Sequence, residues 1–188
     1  MKKLLIIIAL CFTSITIACA QDSEHFKFKG IPINGNISNF GSQLVAEGFT
    51  KVSDNKYRGK FLRNDSVVAI VGDDNNMIWR VAVFMATIDT WNDLESSFNG
   101  YIELYGEKYG APNSTSKKFS SYTGDDSWLK MDALHDGECF YNATWNLPQG
   151  SIEIRIVEGT RSSTGRICIV YTDGANKTKV HQSDLDEI

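Results

Sequence analysis

Residues 67–85 read VVAIVGDDNNMIWRVAVFM, two apolar runs on either side of a segment rich in turn-forming residues. The residue types from Gly72 to Asn76 favour a tight turn, so this stretch predicts a β-hairpin. In its second strand, from Met77 to Met85, both sets of alternating positions are largely apolar, which is typical of a central strand covered on both faces. Strict alternation would place Trp79 on the same core face as Val81.

The chain before the hairpin predicts one short helix and two strands. Ser38 can cap the helix, and Gly48 can end it because glycine tolerates the left-handed conformation. The strands are expected around Phe49 to Val52 and Tyr57 to Leu62.

The best-defined helix follows the hairpin. Thr90 can cap it with Asp93 three residues on, a variant of the capping box, and Gly110 and Pro112 can end it. Apolar side chains recur at spacings of three or four, which predicts that one face of this helix packs on a core. These side chains are Trp91, Leu94, Phe98, Ile102, Tyr105 and Tyr109.

The second half of the chain predicts further strands and a polar end. The strands are expected near Lys117 to Tyr122, Ser127 to Met131, Glu138 to Leu147, Ser151 to Val157 and Arg166 to Thr172. Residues 174–188 are expected to form a polar tail, which is frayed from Asn176 onward.

The order of helix, strands, helix and strands predicts the α+β class. Runs of strands separated by single helices form antiparallel sheets with the helices on one face. We expect one domain over residues 21–173. Its halves, residues 28–86 and 87–173, are candidate tandem repeats of a helix plus an antiparallel sheet.

Residues 1–20 predict export. Two lysines precede an apolar run from Leu4 to Ile17, which is shorter than the roughly 20 apolar residues of a membrane-spanning helix. Cleavage after Ala20 would release a periplasmic or secreted protein that has no transmembrane segment. The alternative is bacterial lipoprotein processing, in which Cys19 would carry a lipid anchor.

The charge balance argues against a polyanionic partner. Removal of two of the 19 basic side chains with residues 1–20 leaves 17 against 23 acidic ones, a net charge of −6. Nucleic acid and anionic lipid both require a basic face. We therefore expect neither as a partner.

Two cysteines, Cys139 and Cys168, remain after the signal. Export to an oxidising compartment favours a disulfide between them. If their strands are the outer two of a three-stranded meander, they lie about 9.6 Å apart, whereas a disulfide needs Cα atoms within about 7 Å. A disulfide and two free thiols both stay open.

Catalytic motifs are not evident in the sequence. The three histidines, His25, His135 and His181, lack the spacing of metal ligands, and no Gly-x-Ser-x-Gly motif occurs. The paired aspartates have turn-like surroundings without the ladder of a calcium loop. We predict no catalytic residue, no metal site and no cofactor.

Two short phrases stand out, AEGF at residues 46–49 and YGAP at residues 109–112. With these phrases, its order of elements and its export signal, the chain resembles the β-lactamase-inhibitor-like (BLIP-like) group of exported bacterial proteins. This group includes envelope proteins of unassigned role. The resemblance covers most of residues 28–173 and implies two tandem helix-plus-sheet units. In the family's inhibitors a first-repeat hairpin enters the target's active site, and the similar position here is Asp73 to Asn76. Those inhibitors also carry a disulfide in each repeat, whereas the first half here has no cysteine.

Together these observations predict an exported, non-catalytic binding protein of the bacterial envelope that recognises a protein partner. The candidate contacts are Asp73, Asp74 and Asn75 in the hairpin, and Tyr122 and Trp128 around the loop of residues 123–127, since exposed aromatic rings anchor partners. Two alternatives are a glycan-binding module, which needs exposed rings beside Asp or Asn, and a small envelope hydrolase, which needs two titratable groups in a pocket.

Overall fold

A computed structural model of the chain describes residues 25–120, 124–161, 163–186 and 188. The fold is α+β, as the order of elements predicts. Its elements are β1 Lys27–Phe28, β2 Ile31–Pro32, α1 Ile37–Ala46, β3 Thr50–Ser53, β4 Lys56–Phe61, β5 Asn64–Gly72, β6 Ile78–Met85, α2 Trp91–Tyr109, β7 Ser114–Phe119, α3 Ser127–His135, β8 Cys139–Leu147, β9 Gly150–Glu158, β10 Gly165–Asp173 and α4 Gly174–Asp186.

Eight of the strands form one antiparallel sheet in the order β3-β4-β5-β6-β10-β9-β8-β7. Each half of the sheet is a meander of four consecutive strands, and the last strands of the two meanders, β6 and β10, pair in the middle. A helix precedes each meander, so the layout has the helix-plus-sheet order expected of tandem repeats. An origin by duplication stays a prediction.

Helices α1, α2 and α3 lie on one face of this sheet. Their buried side chains, including Leu44, Leu94 and Leu134, join the inward residues of the strands in one apolar core. Trp91 and Trp145 are among its largest fully buried side chains. Burial of apolar area on this face, at about 25 cal/mol per Å², is the main source of stability.

The first helix begins earlier than predicted. Asn36, and not Ser38, is its cap, because the Asn36 side chain accepts the backbone N–H of Asn39 at 2.8 Å. Asn36 also bridges to Met77, which fixes the start of α1 beside the β5–β6 hairpin. The caps predicted for α2 are confirmed: Thr90 accepts the N–H of Asp93, and Gly110 follows the last turn.

The predicted strand Ser127–Met131 is wrong, since these residues belong to α3. The Asp126 carboxylate caps this helix by accepting the N–H groups of Trp128 at 2.8 Å and Leu129 at 3.4 Å. Met131 and Leu134, three residues apart, are buried on one side of it. Helical spacing and a local cap therefore outweigh the short apolar run that resembled a strand.

The fraying predicted from Asn176 onward is also wrong. Residues Gly174–Asp186 form α4, and Asn176 in its first turn is fully buried. The Asn176 amide donates hydrogen bonds to the backbone carbonyls of Ile33 and Ile78. These bonds hold a polar helix that has little apolar surface of its own.

A bulge interrupts the alternation of β6. Val71 pairs with Arg80 and Gly72 pairs with Ile78, so Trp79 is the extra residue on β6. As a result Ile78 joins Val81 in the core, and Trp79 does not. The prediction that Trp79 lies on the core face is therefore wrong, because strict alternation does not hold across the bulge.

Within the described part of the chain, no helix is long and apolar enough to span a membrane.

Candidate binding surface

The face of the large sheet that lies opposite α1, α2 and α3 is the candidate site, and we call it the open face. Its apolar centre is a second cluster, which consists of strand residues alone: Ala82, Cys168 and Val170, with Phe84 and Val157 packed against them. None of the described helices contributes a side chain to this cluster. The two strands at the junction of the meanders, β6 and β10, supply most of it.

Arginines surround this apolar centre. The register of the strands places Arg155, Cys168, Phe84, Val67 and Arg58 side by side in a line across β9, β10, β6, β5 and β4. The line therefore has an apolar middle and an arginine at each end. Arg58 and Arg155 are both exposed to solvent.

Two further arginines on this face are stacked on aromatic rings. The guanidinium carbon of Arg166 lies 4.3 Å from the centre of the Phe84 ring, and that of Arg80 lies 4.2 Å from the Trp79 ring. Arg80 also donates from Nε to the hydroxyl of Thr172 at 3.3 Å. Stacking fixes the plane of a guanidinium group while its edge can still donate hydrogen bonds.

Of the three arginines nearest the centre, Arg80 and Arg166 are partly dehydrated, whereas Arg155 is exposed. Burial lowers the pKa of the Arg80 guanidinium from its ordinary value, and the neighbouring charge of Arg155 lowers it further. Burial also lowers the pKa of Arg166. The Glu153 carboxylate acts in the opposite direction on Arg80. The Arg80 and Arg166 guanidinium groups nevertheless stay protonated at neutral pH, because arginine is not deprotonated in proteins.

These positive charges are only weakly compensated. The ion pairs found among residues 25–120, 124–161, 163–186 and 188 involve other side chains, such as Lys60 with Asp65 at 2.8 Å. Arg80, Arg155 and Arg166 take part in none of them. The open face thus carries three arginines against the single carboxylate of Glu153 near its centre, on a protein whose net charge is negative.

The sequence did not reveal this surface. Its arginines lie on four strands and are separated by up to 108 positions, from Arg58 to Arg166. Only the order of strands brings them together. The available signal was that each arginine alternates with a core position of its strand, for example Arg155 between Ile154 and Ile156.

The predicted hairpin contacts have separate roles in the structure. The Asp73 carboxylate accepts the backbone N–H groups of Asn75 at 3.0 Å and Met77 at 2.7 Å, so it holds the turn together. Asp74 and Asn75 are exposed. Asn75 and Asn76 border a shallow polar cavity of about 810 Å³ beside the start of α1.

Trp128 is 67% exposed in the first turn of α3. It lies far from the hairpin, because α3 leads into β8 at the end of the sheet where β9 ends and β10 begins. The hairpin tip precedes β6, at the opposite end. The structure therefore does not bring the two predicted contact regions together. Tyr122, like Cys19 and the export signal, lies outside the described residues.

The two cysteines are free, so the possible disulfide is not formed. Cys139 packs against the core beneath the helices, whereas Cys168 is fully buried in the cluster on the open face. The sheet itself separates the two thiols, which lie on strands that are not neighbours. Burial raises the pKa of both thiols, that of Cys139 to about 11.

The histidines do not converge. His25 contacts Asp173, and His135 lies 3.9 Å from Glu158. His181 borders a second shallow cavity, of about 360 Å³, where α4 meets the end of the sheet. In the part of the chain that the structure describes, no group of three His, Cys, Asp or Glu side chains could hold a metal ion.

Comparison of the chain with protein-family models, with curated proteins and with solved structures gives no match. The geometry of the open face is therefore the basis on which its role is argued.

Proposed function

We propose that this protein is an exported, non-catalytic binding protein of the bacterial envelope, and that it docks a protein partner on the open face. The observation that carries this proposal is that an apolar cluster and three arginines that form no described ion pair lie together on one sheet face. Arginine and aromatic side chains are enriched in the parts of interfaces that contribute most to binding.

The size of the open face suits such a contact. Eight strands at about 4.8 Å spacing span roughly 34 Å, and six-residue strands extend about 20 Å. The product, roughly 700 Å², is close to the about 800 Å² that each partner contributes to a standard interface. A partner that covered this face would also exclude water from Phe84 and Val157.

The export part of the proposal is supported by residues 1–20 alone. Two lysines followed by the apolar run from Leu4 to Ile17 have the order of a signal sequence. Release after Ala20 gives a periplasmic or secreted protein, and lipidation of Cys19 would keep the same domain at a membrane surface.

Binding fits the described side chains better than either alternative. A hydrolase would need two titratable groups free to act in one pocket. In the larger cavity Lys51 and Asp54 are exposed and pair with each other at 3.4 Å, and most of the other lining residues carry no titratable group. A glycan site would need a free ring beside Asp or Asn. The Trp79 ring is instead covered by Arg80. The Trp128 ring is exposed near Asp126, but that carboxylate is engaged as the cap of α3.

The proposal can be tested by site-specific photo-crosslinking in the intact envelope of the native host. A photoreactive amino acid is placed at Phe140 on the open face and, as a matched control, at Leu104 on α2, since both side chains are 43% exposed. We expect a reproducible protein adduct from position 140 and none from 104. Adducts from position 104 alone, or from neither position, would refute docking on the open face.

A further inference from the structure

We propose that the partner presents an acidic segment to the open face, with carboxylate groups bound by Arg80, Arg155 and Arg166 and apolar side chains on the partly exposed Phe84 and Val157. This inference rests on the proposed function and adds the chemistry of the partner.

The stacked guanidinium groups are oriented for carboxylates. Phe84 and Trp79 hold the planes of Arg166 and Arg80, so the N–H groups at the edges of these planes are presented in fixed directions. The Nε atoms already donate to the Thr172 hydroxyl and to the Glu158 carbonyl, so a carboxylate would accept two hydrogen bonds from the Nη atoms. Less conformational entropy is lost because the arginines are already ordered.

The electrostatic state of the three arginines favours a negative ligand. Arg155 raises the energy of the charged form of Arg80, and both Arg80 and Arg166 have lost part of their hydration. An arriving carboxylate would offset this repulsion and replace the lost water. The attraction is strengthened because the site is partly removed from solvent.

An acidic protein segment fits this surface better than a continuous polyanion. Glu153 lies on the same face, paired in register with Val170, so the positive charge is interrupted and suits separate carboxylates placed beside the arginines better than an unbroken chain of phosphates. Phe84 and Val157, the partly exposed members of the second cluster, offer apolar area that a polyanion leaves unused, whereas Ala82 and Val170 are already buried.

The test uses the purified exported protein and defined probes. The main probe is a fluorescein-labelled peptide in which Glu alternates with Leu and Val, and its control has Gln at every Glu. Heparin and phosphatidylglycerol vesicles represent polyanions. We expect the Glu peptide to bind, the Gln peptide to bind at least tenfold more weakly, and heparin and the vesicles to bind more weakly than the Glu peptide.

Variants connect the binding to the arginines. The double variant Arg155→Gln/Arg166→Gln should weaken binding of the Glu peptide at least tenfold. Arg161→Gln removes an equally charged, exposed arginine from the β9–β10 loop, where it pairs with Asp89, and should leave the affinity unchanged. Thermal unfolding of each variant checks that the fold is intact. No binding of the Glu peptide, equal binding of the Gln peptide, tighter binding of heparin or vesicles, or no effect of the double variant would overturn the inference.

Crosslinking from position 140 in the double variant separates this inference from the proposed function. Loss of the adduct in Arg155→Gln/Arg166→Gln, with retention in Arg161→Gln, supports both. An undiminished adduct in the double variant overturns the acidic segment and leaves docking on the open face intact. Absence of an adduct in the unmodified protein overturns both.

Discussion

The Nδ1 atom of His25 lies 3.1 Å from the Oδ1 atom of Asp173, although 148 residues separate them. The Asp173 carboxylate is fully buried and also accepts the backbone N–H groups of Phe26 at 2.7 Å and Asn176 at 2.8 Å. One carboxylate thus joins the start of the described chain to the end of β10 and the first turn of α4.

Replacement of Asp173 should destabilise the protein strongly. Asp173→Ala leaves His25 and two backbone N–H groups without their buried acceptor, and we expect the free energy of unfolding to fall by about 3 kcal/mol. Urea unfolding measures this change. The control is Asp184→Ala in the exposed part of α4, which should stay within about 0.5 kcal/mol of the unmodified protein. Equal effects of the two changes would mean that the carboxylate does not hold these segments together.

Alanine substitutions at two glycines should have opposite effects on stability. Gly150 begins β9 with φ +153°, and a Cβ atom there would lie 2.0 Å from the carbonyl oxygen of Thr172, so Gly150→Ala should destabilise the sheet. Gly100 lies in α2 with open space around it, so Gly100→Ala should stabilise the protein by about 0.5–1 kcal/mol. Thermal unfolding distinguishes the two. A stable Gly150→Ala protein would contradict the close approach of β9 to Thr172.

Alanine substitutions at two tryptophans should also differ in their effect on stability. Trp91 is fully buried in the core and Trp128 is 67% exposed. Trp91→Ala should cost about 3–5 kcal/mol, because a large cavity remains, while Trp128→Ala should change stability by less than about 0.5 kcal/mol. Urea unfolding followed by circular dichroism measures both changes without dependence on tryptophan fluorescence. A large loss for Trp128→Ala would place that ring in the core instead of on the surface.

The buried thiols predict a loss of stability at alkaline pH. Burial raises the pKa of Cys139 from its ordinary value of 9.0 to about 11, so the folded protein keeps a proton that the unfolded chain releases. The free energy of unfolding should therefore fall as the pH rises from 9 to 11. Burial also raises the pKa values of Tyr105 and Tyr171, which add to the fall above pH 10.

The contribution of the Cys139 thiol can be isolated with Cys139→Ala. Urea unfolding of this variant at pH 8 and pH 10.5 should show a smaller decrease than that of the unmodified protein. Iodoacetamide should also alkylate Cys139 much faster after unfolding than before it at pH 8. A decrease that is the same with and without Cys139 would show that this thiol ionises normally in the folded state.

The parts of the fold with strong local signals could be predicted from the sequence. Turn residues at Gly72 to Asn76 and the cap at Thr90 act within a few positions, so the β5–β6 hairpin and α2 follow from them. The helix α3 was missed because a short apolar run fits a strand or a helix equally well. The polar helix α4 was missed because Asn176 holds it through distant carbonyl groups.

The open face could not be predicted, for a different reason. Net charge is a sum over the whole chain, and it hides a basic patch when acidic side chains lie elsewhere. Arg80 alternates with Ala82 and Phe84, so its face could be predicted, but the pairing of β6 with β10 that brings it near Arg155 and Arg166 follows from no local pattern. The hairpin contacts were predicted from residue type alone. In the structure the Asp73 carboxylate accepts a backbone N–H group of its own turn.

Arginine modification in the intact envelope tests most directly whether the open face is covered. Phenylglyoxal reacts with accessible guanidinium groups, and Arg155 on the open face and Arg161 in the β9–β10 loop are both exposed in the isolated protein. Mass spectrometry then compares their modification in the envelope of the native host and in the purified protein. Docking on the open face predicts that Arg155 is protected in the envelope while Arg161 reacts equally in both. Equal reactivity of Arg155 in both settings would contradict the account.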